Sequence, residues 1–374
     1  MPQVFFLNRF FHPDNSATSL ILTDLISELS NTDNTKKYSV ICGSAKHINL
    51  EDSTHKDLNN VSICKLYQIP NLKRNISIAI LNMLIFHIQT ILVLLYKVRS
   101  DDTVVGLSDP PMLSFSISIV RLIKNFTFIS WQQDIFPETA SSGDLIASPF
   151  LITCLKRIRN FSLTLADRVI VPSQSMAKYL STELDCAQKV SVIENFAVRN
   201  VYKLCTDRKI GNKPIIVGYS GNLGFAHEVD MLAELIYNLR TTVNVHFVIS
   251  GGGLGKEQLK DYCSKKELPN VSFQKYVEFD RLNEHLNTFD IHLVSLRDRF
   301  NGLVYPSKIY NGFQLGIPTI FVGTHGSEID RLLREKKIGI TYSSFADLPK
   351  VTRFISEISN DKVFQQEISD NIQL

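Results

Sequence analysis

Residues 215–253 read IIVGYSGNLGFAHEVDMLAELIYNLRTTVNVHFVISGGG. A β-rich run, IIVGYSG, is followed by a helical stretch, HEVDMLAELIYNL, and a second β-rich run, VHFVISGGG. Strands that alternate with helices predict parallel β-α-β units. The pattern continues outward with VSFQ at 271, IHLVSL at 291, TIFVG at 319 and IGITY at 338. The first half has the same rhythm, with VFFL near residue 4, YSVIC near 38, VSICKLY near 61, TVVGL near 103, FTFISW near 126 and RVIVPS near 168. The expected fold class is therefore α/β, with two Rossmann-like, doubly wound parallel sheets. A chain of 374 residues also exceeds what one core usually supports. The polar, Lys-rich stretch VYKLCTDRKIGNKP places the linker near residues 197–213. This gives a first domain over 1–200, a second over 210–348 and a helical tail over 349–374 that can pack back on the first.

Composition narrows the class of function. With 44% hydrophobic and 21% charged residues, the chain is expected to be a folded enzyme. A net charge of +3, without a basic stripe, argues against nucleic-acid binding. Cysteines 42, 64, 154, 186, 205 and 263 never approach C-x-x-C spacing and read as reduced core thiols in the cytoplasm. The opening MPQVFFLNRFF lacks the basic leader and cleavage site of a secretion signal.

From Asn75 to Tyr96 there is no Asp, Glu, Lys or Arg, a length that would allow a membrane span. Asn75, Asn82 and Gln89 recur every seven residues and, with Thr90, form one narrow polar stripe on a helical wheel. The preferred reading is a largely buried core helix. The alternatives are a helix resting on a bilayer, which implies a peripheral position on the inner face of the membrane, and a true span.

In open parallel sheets, ligands bind beyond the carboxyl ends of the strands. After the first strand, NRFFHPDNSATSLILTDLI places Asp14, Asn15 or Ser16 at a helix start, so Asn15 and Ser16 are candidates for a phosphate loop. Simple helix capping uses the same residues. GYSGNLG at 218–224 lets a ligand approach the backbone closely, as a structural turn also would. ISGGGLGKEQL at 249–259 has the wrong glycine spacing for a dinucleotide fingerprint and no ribose-binding acid, which excludes a dehydrogenase. In VYPSKIYNGFQLGIPTIFVG at 304–323, Pro306 and Ser307 are expected to open a short helix that Gly316 closes. Ser307 and Lys308 would then offer a hydroxyl and a mobile cation to a diphosphate, or would be an ordinary cap beside an exposed lysine. No D-x-D occurs, no histidine has ligand spacing, and His285 and His292 read as ordinary residues, so no metal is expected.

In these blocks the chain resembles the retaining family 4 glycosyltransferases of GT-B fold, particularly bacterial members that build capsule, O-antigen and colanic-acid-type polysaccharides. LNRFFHPDNSATS resembles their first loop, and QQDIFPE at 132–138 their D-x-x-P-E segment. ADRVIVPS with VIENF is similar to the strand pair that closes their first domain. GYSGNLG, GGGLGKEQL, NVSFQKYV, DIHLVSL and VYPSKIYNGFQLGIP follow in the family's order.

The resemblance implies two domains facing across a cleft, with the acceptor on the first and a nucleotide-sugar, such as a UDP-sugar, on the second. Gly221 and Asn222 would lie near the donor phosphates, Tyr276 near the base, and Ser307 and Lys308 on the diphosphate. Where the family has two glutamates eight residues apart, this chain has Leu303 and Asn311, and Asn311 can still hydrogen-bond a ribose hydroxyl. An Arg and a Lys common after the GYSG strand are replaced around Asn222 and His227, so Arg297, Arg299 or Lys308 would supply the charge. Asp134 would orient the acceptor hydroxyl, unless it is only a loop acid or a cap before Pro137. No cofactor is implied beyond the nucleotide-sugar co-substrate. The expected partners are that donor and a glycan or polyprenyl-diphosphate-linked acceptor. The alternatives are a nucleotide-sugar 2-epimerase of the same fold and a non-catalytic partner subunit.

Overall fold

The structure is a computed structural model, which describes residues 2–14, 16–33, 35–43, 61–70, 75–184, 187–203 and 213–373. The chain divides into two compact units. One comprises Met1–Glu194 with Gly302–Tyr305, and the other Asn195–Asn301 with Pro306–Leu374.

In the first unit, strands β1 (Gln3–Leu7), β2 (Lys37–Gly43), β3 (Val61–Leu66), β4 (Thr103–Leu107), β5 (Thr127–Trp131), β6 (Arg168–Val171) and β7 (Val190–Val192) form one sheet in the order β3-β2-β1-β4-β5-β6-β7. Every pairing is parallel. The connecting helices are α1 (Ala17–Thr32), α2 (Ile76–Lys97), α3 (Leu113–Arg121), α4 (Glu138–Ser142), α5 (Pro149–Thr164) and α6 (Gln174–Glu183). One core, with Phe5, Leu7, Phe86, Ile117 and Phe128, lies on one face of the sheet. A second core, with Phe6, Leu22, Val40 and Trp131, lies on the other. Alternate residues of one strand enter opposite cores, as a sheet covered on both faces requires. Residues 302–305 return to this unit. Val304 bridges Asp134 in antiparallel fashion, the Ile135 N–H donates to the Leu303 carbonyl at 2.8 Å, and Leu303 is buried in the first core.

In the second unit, β8 (Ile215–Asn222), β9 (Val245–Gly252), β10 (Val271–Gln274), β11 (Ile291–Ser295), β12 (Thr319–Val322) and β13 (Gly339–Tyr342) form a parallel sheet in the order β10-β9-β8-β11-β12-β13. Its helices are α7 (Val229–Leu239), α8 (Leu254–Lys265), α9 (Phe279–Leu286), α10 (Ile309–Gln314), α11 (Glu328–Lys336), α12 (Leu348–Asn360) and α13 (Lys362–Gln373). The last two belong to this unit, where the Lys203 amine donates to Ser369 Oγ at 3.1 Å.

The helices begin where local chemistry allows. Ser148, Ser173 and Ser327 accept the N–H groups of Leu151, Met176 and Asp330 at 3.4, 3.3 and 3.2 Å. Each satisfies a donor that a helix start leaves unpaired. The Lys124 ammonium binds the Leu95 and Val98 carbonyls at the carboxyl end of α2, where a cation also meets the favourable end of the helix dipole.

Helix α2 departs from expectation. It is not a core helix, because only Asn82, Phe86, Thr90 and Leu94 are buried. Its polar stripe points inward. Asn82 accepts from the Ile69 N–H at 2.7 Å and donates to the Ile69 carbonyl at 2.9 Å. Gln89 does the same with Tyr67, at 2.9 and 3.0 Å. The two side-chain amides thus act as a substitute strand edge for the backbone that follows β3. The amide pairing satisfies backbone groups that would otherwise lack partners, so it outweighs burial of the more apolar faces.

Two stability predictions follow from these contacts. Asn82→Ala orphans the Ile69 backbone pair and should lower unfolding free energy by about 1–3 kcal/mol in urea titration. The second concerns His325, whose Nδ1 faces Asp330 at 3.2 Å and whose Nε2 faces Asp347 at 3.0 Å. Hydrogen bonding to Asp347 leads in raising the imidazole pKa. Burial works to raise both carboxyl pKa values, but backbone N–H groups and His325 prevail and lower them. The imidazolium contribution is complete below the ordinary histidine value near 6.5 and fades as pH rises through the raised value. The carboxylate contribution fades as pH falls below about 4. His325→Gln should therefore cost more melting temperature at about pH 6 than at about pH 8.5. An equal loss at both would remove the charge from this contact.

Candidate functional site

In each sheet the strand order reverses at one pair, β1/β4 in the first unit and β8/β11 in the second. The loops leaving such a pair diverge and open a crevice at the carboxyl ends of the strands.

In the second unit the loop after β8 is shaped by glycine. Gly221 has φ +131° and lies beside Gly251, at φ +120°, on the adjoining strand. A Cβ on Gly251 would collide with the Gly221 carbonyl. A Cβ on Gly221 would come within 3.1 Å of Lys308 Nζ.

Lys308 reaches this point from the turn before α10. Its ammonium donates to Tyr219 Oη at 2.6 Å and stands 4.0 Å from the centre of that ring. Tyr219, fully buried on β8, offers its own proton to the Asn222 carbonyl at 2.8 Å. His227 Nδ1 donates to the Ser295 carbonyl at 2.7 Å, which leaves Nε2 as an acceptor 3.3 Å from Tyr219 Oη. Among the described residues Lys308 has no ion-pair partner.

The neighbours of the amine are held neutral. Burial, then the Lys308 charge, takes His227 down to about 3. The same two causes take buried His292 to about 3. Burial, followed by Tyr276, pushes the Tyr219 phenol well above its usual range. Burial pulls the Lys308 amine itself down to about 7. A cation surrounded by neutral groups is poorly solvated and uncompensated, a state that an anion relieves.

Of the other expected donor residues, Asn222 and Tyr276 adjoin this corner. Tyr276 is exposed, with its hydroxyl 3.4 Å from Asn222 Oδ1 and its ring over Gly252. The Arg297 N–H donates to the Ala226 carbonyl at 2.8 Å and ties the loop after β11 to the loop after β8. Arg299 is exposed, 5.7 Å from the centre of the Phe300 ring. Ser307 precedes α10, which begins at Ile309 with Lys308 as its N-cap, two residues later than the sequence implied. The Ile309 and Tyr310 N–H groups are taken by the Pro306 and Ser307 carbonyls in a tighter turn. Asn311 Oδ1 accepts from the Val198 N–H at 3.1 Å, so this oxygen anchors backbone. His285 bonds Ser250 Oγ at 2.8 Å, and His292 is buried against Gly312.

Sequence reasoning missed Tyr219 and Lys256. The buried Lys256 ammonium holds the Gly251 carbonyl at 2.7 Å and also the Gln274 carbonyl, fixing the glycine loop. Its place inside GGGLGKEQL was the available signal.

In the first unit, Arg9 follows β1 and Asp109 follows β4. Their side chains pair at 2.8 Å, and the Arg9 N–H donates to the Asp109 carbonyl at 2.8 Å. Burial raises the Asp109 carboxyl to about 6 despite Arg9, and Asp134 adds to the rise. Asp134, after β5, is also raised by burial, against a hydrogen bond from Ser108. Ser16 occupies the N-cap position of α1 without a side-chain cap bond, and its N–H donates to Asp14 Oδ1 at 2.8 Å. Asn15 lies outside the described residues. Among the described residues, no cluster of three or more His, Cys, Asp or Glu is arranged to hold a metal.

Residues 203–342 match the model of the family described as Glycosyl transferases group 1. Over 251 residues, 65% of this chain, it is 23% identical to "Probable glycosyltransferase WbjE" of Pseudomonas aeruginosa. Over 151 residues, 40% of this chain, it is 28% identical to "Putative colanic acid biosynthesis glycosyl transferase WcaI" of Escherichia coli K12. The matched stretches span 62% and 35% of those two relatives. The fold is that of the Anabaena protein HepE, solved in complex with UDP, with TM-score 0.68 and 15% identity over 100% of this chain and 94% of that one. Both sheet domains accordingly have the GT-B type of architecture.

The Lys308 environment gives a direct test. The side-chain amine should titrate near pH 7 by nitrogen-detected NMR, losing its charge as pH rises. Tyr219→Phe removes an acceptor that favours the charged form and should lower the midpoint further. A midpoint near the ordinary lysine value of about 10.4 would show the amine to be solvated.

Proposed function

We propose that the protein is a glycosyltransferase that moves a sugar from a nucleotide-sugar, a UDP-sugar in particular, to a glycan acceptor in cell-surface polysaccharide biosynthesis. The observation that carries this reading is the Lys308 ammonium, poised against Gly221 without a carboxylate partner among the described residues, inside the segment that matches the glycosyl transferase family. A departing nucleoside diphosphate develops negative charge on its leaving oxygen, and a prearranged cation in a poorly solvated site stabilises that charge as it forms. Gly221 leaves room for the phosphate to reach the amine, and Tyr219 fixes the direction of the ammonium by hydrogen bond and ring.

Asn222 and Tyr276, which meet at 3.4 Å, are assigned to the donor as well, as are Ser307, Arg297 and Asn311. The Asn311 side chain retains its NH2 group for a ribose hydroxyl while its oxygen holds Val198. On the first unit, Asp134 is assigned to orienting the acceptor hydroxyl, and the start of α1 at Ser16 to a phosphate. We further propose transfer with retention, without a metal, hexose or N-acetylhexosamine as the sugar, and a polyprenyl-diphosphate-linked acceptor on the cytoplasmic side. That WcaI is named for colanic acid biosynthesis and HepE was solved with UDP supports the choice of pathway and donor base.

A thermal-shift screen of the full chain against nucleotide-sugars identifies the donor, because a ligand that binds only the folded state raises its melting temperature. The donor found should be turned over with an oligosaccharide-lipid acceptor, with the anomeric configuration kept. Lys308→Ala should lower kcat by about 10²–10³-fold, as loss of one charge-stabilising donor does. Binding without turnover across many acceptors would instead mark a non-catalytic partner. Sugar inversion without any acceptor would mark an epimerase.

A further inference from the structure

Helix α2 is built inside out for a water-exposed helix. Its amide side chains are turned inward onto the backbone at Tyr67 and Ile69, while Ile76, Ile80, Leu84, Ile88, Leu92 and Tyr96 stand exposed at four-residue spacing in a ridge that winds about 200° around the helix. The row runs about 30 Å at 1.5 Å per residue. A soluble helix places these two faces the other way round.

The apolar surface continues beyond α2. Lys124 binds the Leu95 and Val98 carbonyls, which sets the exposed Leu122 and Ile123 beside the carboxyl end of α2. On the other side of α3, Ser118 Oγ donates to the Ser162 carbonyl at 3.0 Å and joins the end of α3 to α5. Helix α5 exposes Phe150, Leu151, Ile158 and Phe161. Isolated exposed apolar residues are ordinary, but rows of this extent on two helices that pack over the same core mark an interaction site.

Charge selects the partner. Helices α2, α3 and α5 contain no acidic residue, and their charged residues are Lys97, Arg121, Lys156, Arg157 and Arg159. Lys156 and Arg159 are bound to Glu138, whereas Lys97 and Arg157 are exposed. A second copy meeting this face with its own would set cation against cation. A surface with an apolar interior and negative headgroups complements both features. Helix α2 cannot serve as a span while Asn82 and Gln89 hold the backbone after β3 and Phe86 and Leu94 sit in the core.

We infer that the α2 and α5 face of the first unit docks on an anionic phospholipid bilayer, with α2 lying in the headgroup plane. This rests on the first unit alone and stands or falls separately from the sugar-transfer reading.

The test is flotation of the full-length protein with vesicles of phosphatidylcholine alone or mixed with phosphatidylglycerol. The protein should rise with the mixed vesicles and far less with phosphatidylcholine. Ile80→Gln/Leu84→Gln/Ile88→Gln changes only solvent-facing positions, so it should melt as the wild type does. It should bind the mixed vesicles at least about ten-fold more weakly. Lys97→Glu/Arg157→Glu keeps the apolar face and should abolish the preference for phosphatidylglycerol. Wild-type protein that stays unbound with both vesicle types overturns the inference. So does a wild-type dimer, seen by light scattering, that the triple substitution converts to a monomer without affecting flotation.

Discussion

Each sheet grows in one direction from its first strand and then in the other, and this reversal between β1 and β4, and between β8 and β11, organises the molecule. Neighbouring strands in the same direction share their connecting helices on one face, so their loops close over one another. At the reversal the two helices lie on opposite faces and the loops part. The Arg297 tie to Ala226 and the Arg9 pair with Asp109 stand at such an opening, and Gly221 ends β8 beside the second one.

What occupies the second opening is a cation without a countercharge among the described residues. Where the resembling family carries glutamates, Leu303 is buried in the first core and the oxygen of Asn311 holds the Val198 N–H. Neither can compensate Lys308. Tyr219, His227 and His292 surround it with neutral polar atoms whose own ionisation is suppressed by burial. The cost of keeping an ammonium there is met in part by the Tyr219 oxygen and ring. Local charge balance, more than any motif letter, distinguishes this corner from an ordinary helix start.

Helix α2 shows how backbone satisfaction can override hydrophobic pattern. Counted by side chains, its apolar faces should face inward. Among the described residues the segment after β3 has no neighbouring strand, and Asn82 and Gln89 supply partners for its N–H and C=O groups in pairs. Two satisfied backbone pairs fix the rotation of the whole helix and leave its aliphatic ridge outside.

The alternation of apolar runs and helical stretches determined both parallel sheets before any coordinate was known, because period-two and period-3.6 patterns are local properties of the chain. Blocks such as GYSGNLG and VYPSKIY likewise singled out Gly221 and Lys308, since close backbone approach and a cation are encoded by residue type. The sequence did not reveal that Tyr219, 89 residues before Lys308, would accept its hydrogen bond. Nor could it tell that the Asn82 stripe would turn inward, because the same wheel fits a core helix and a docked one. Those outcomes depend on which unpaired groups lie opposite each side chain once the strands are ordered, and only the folded chain brings those groups together.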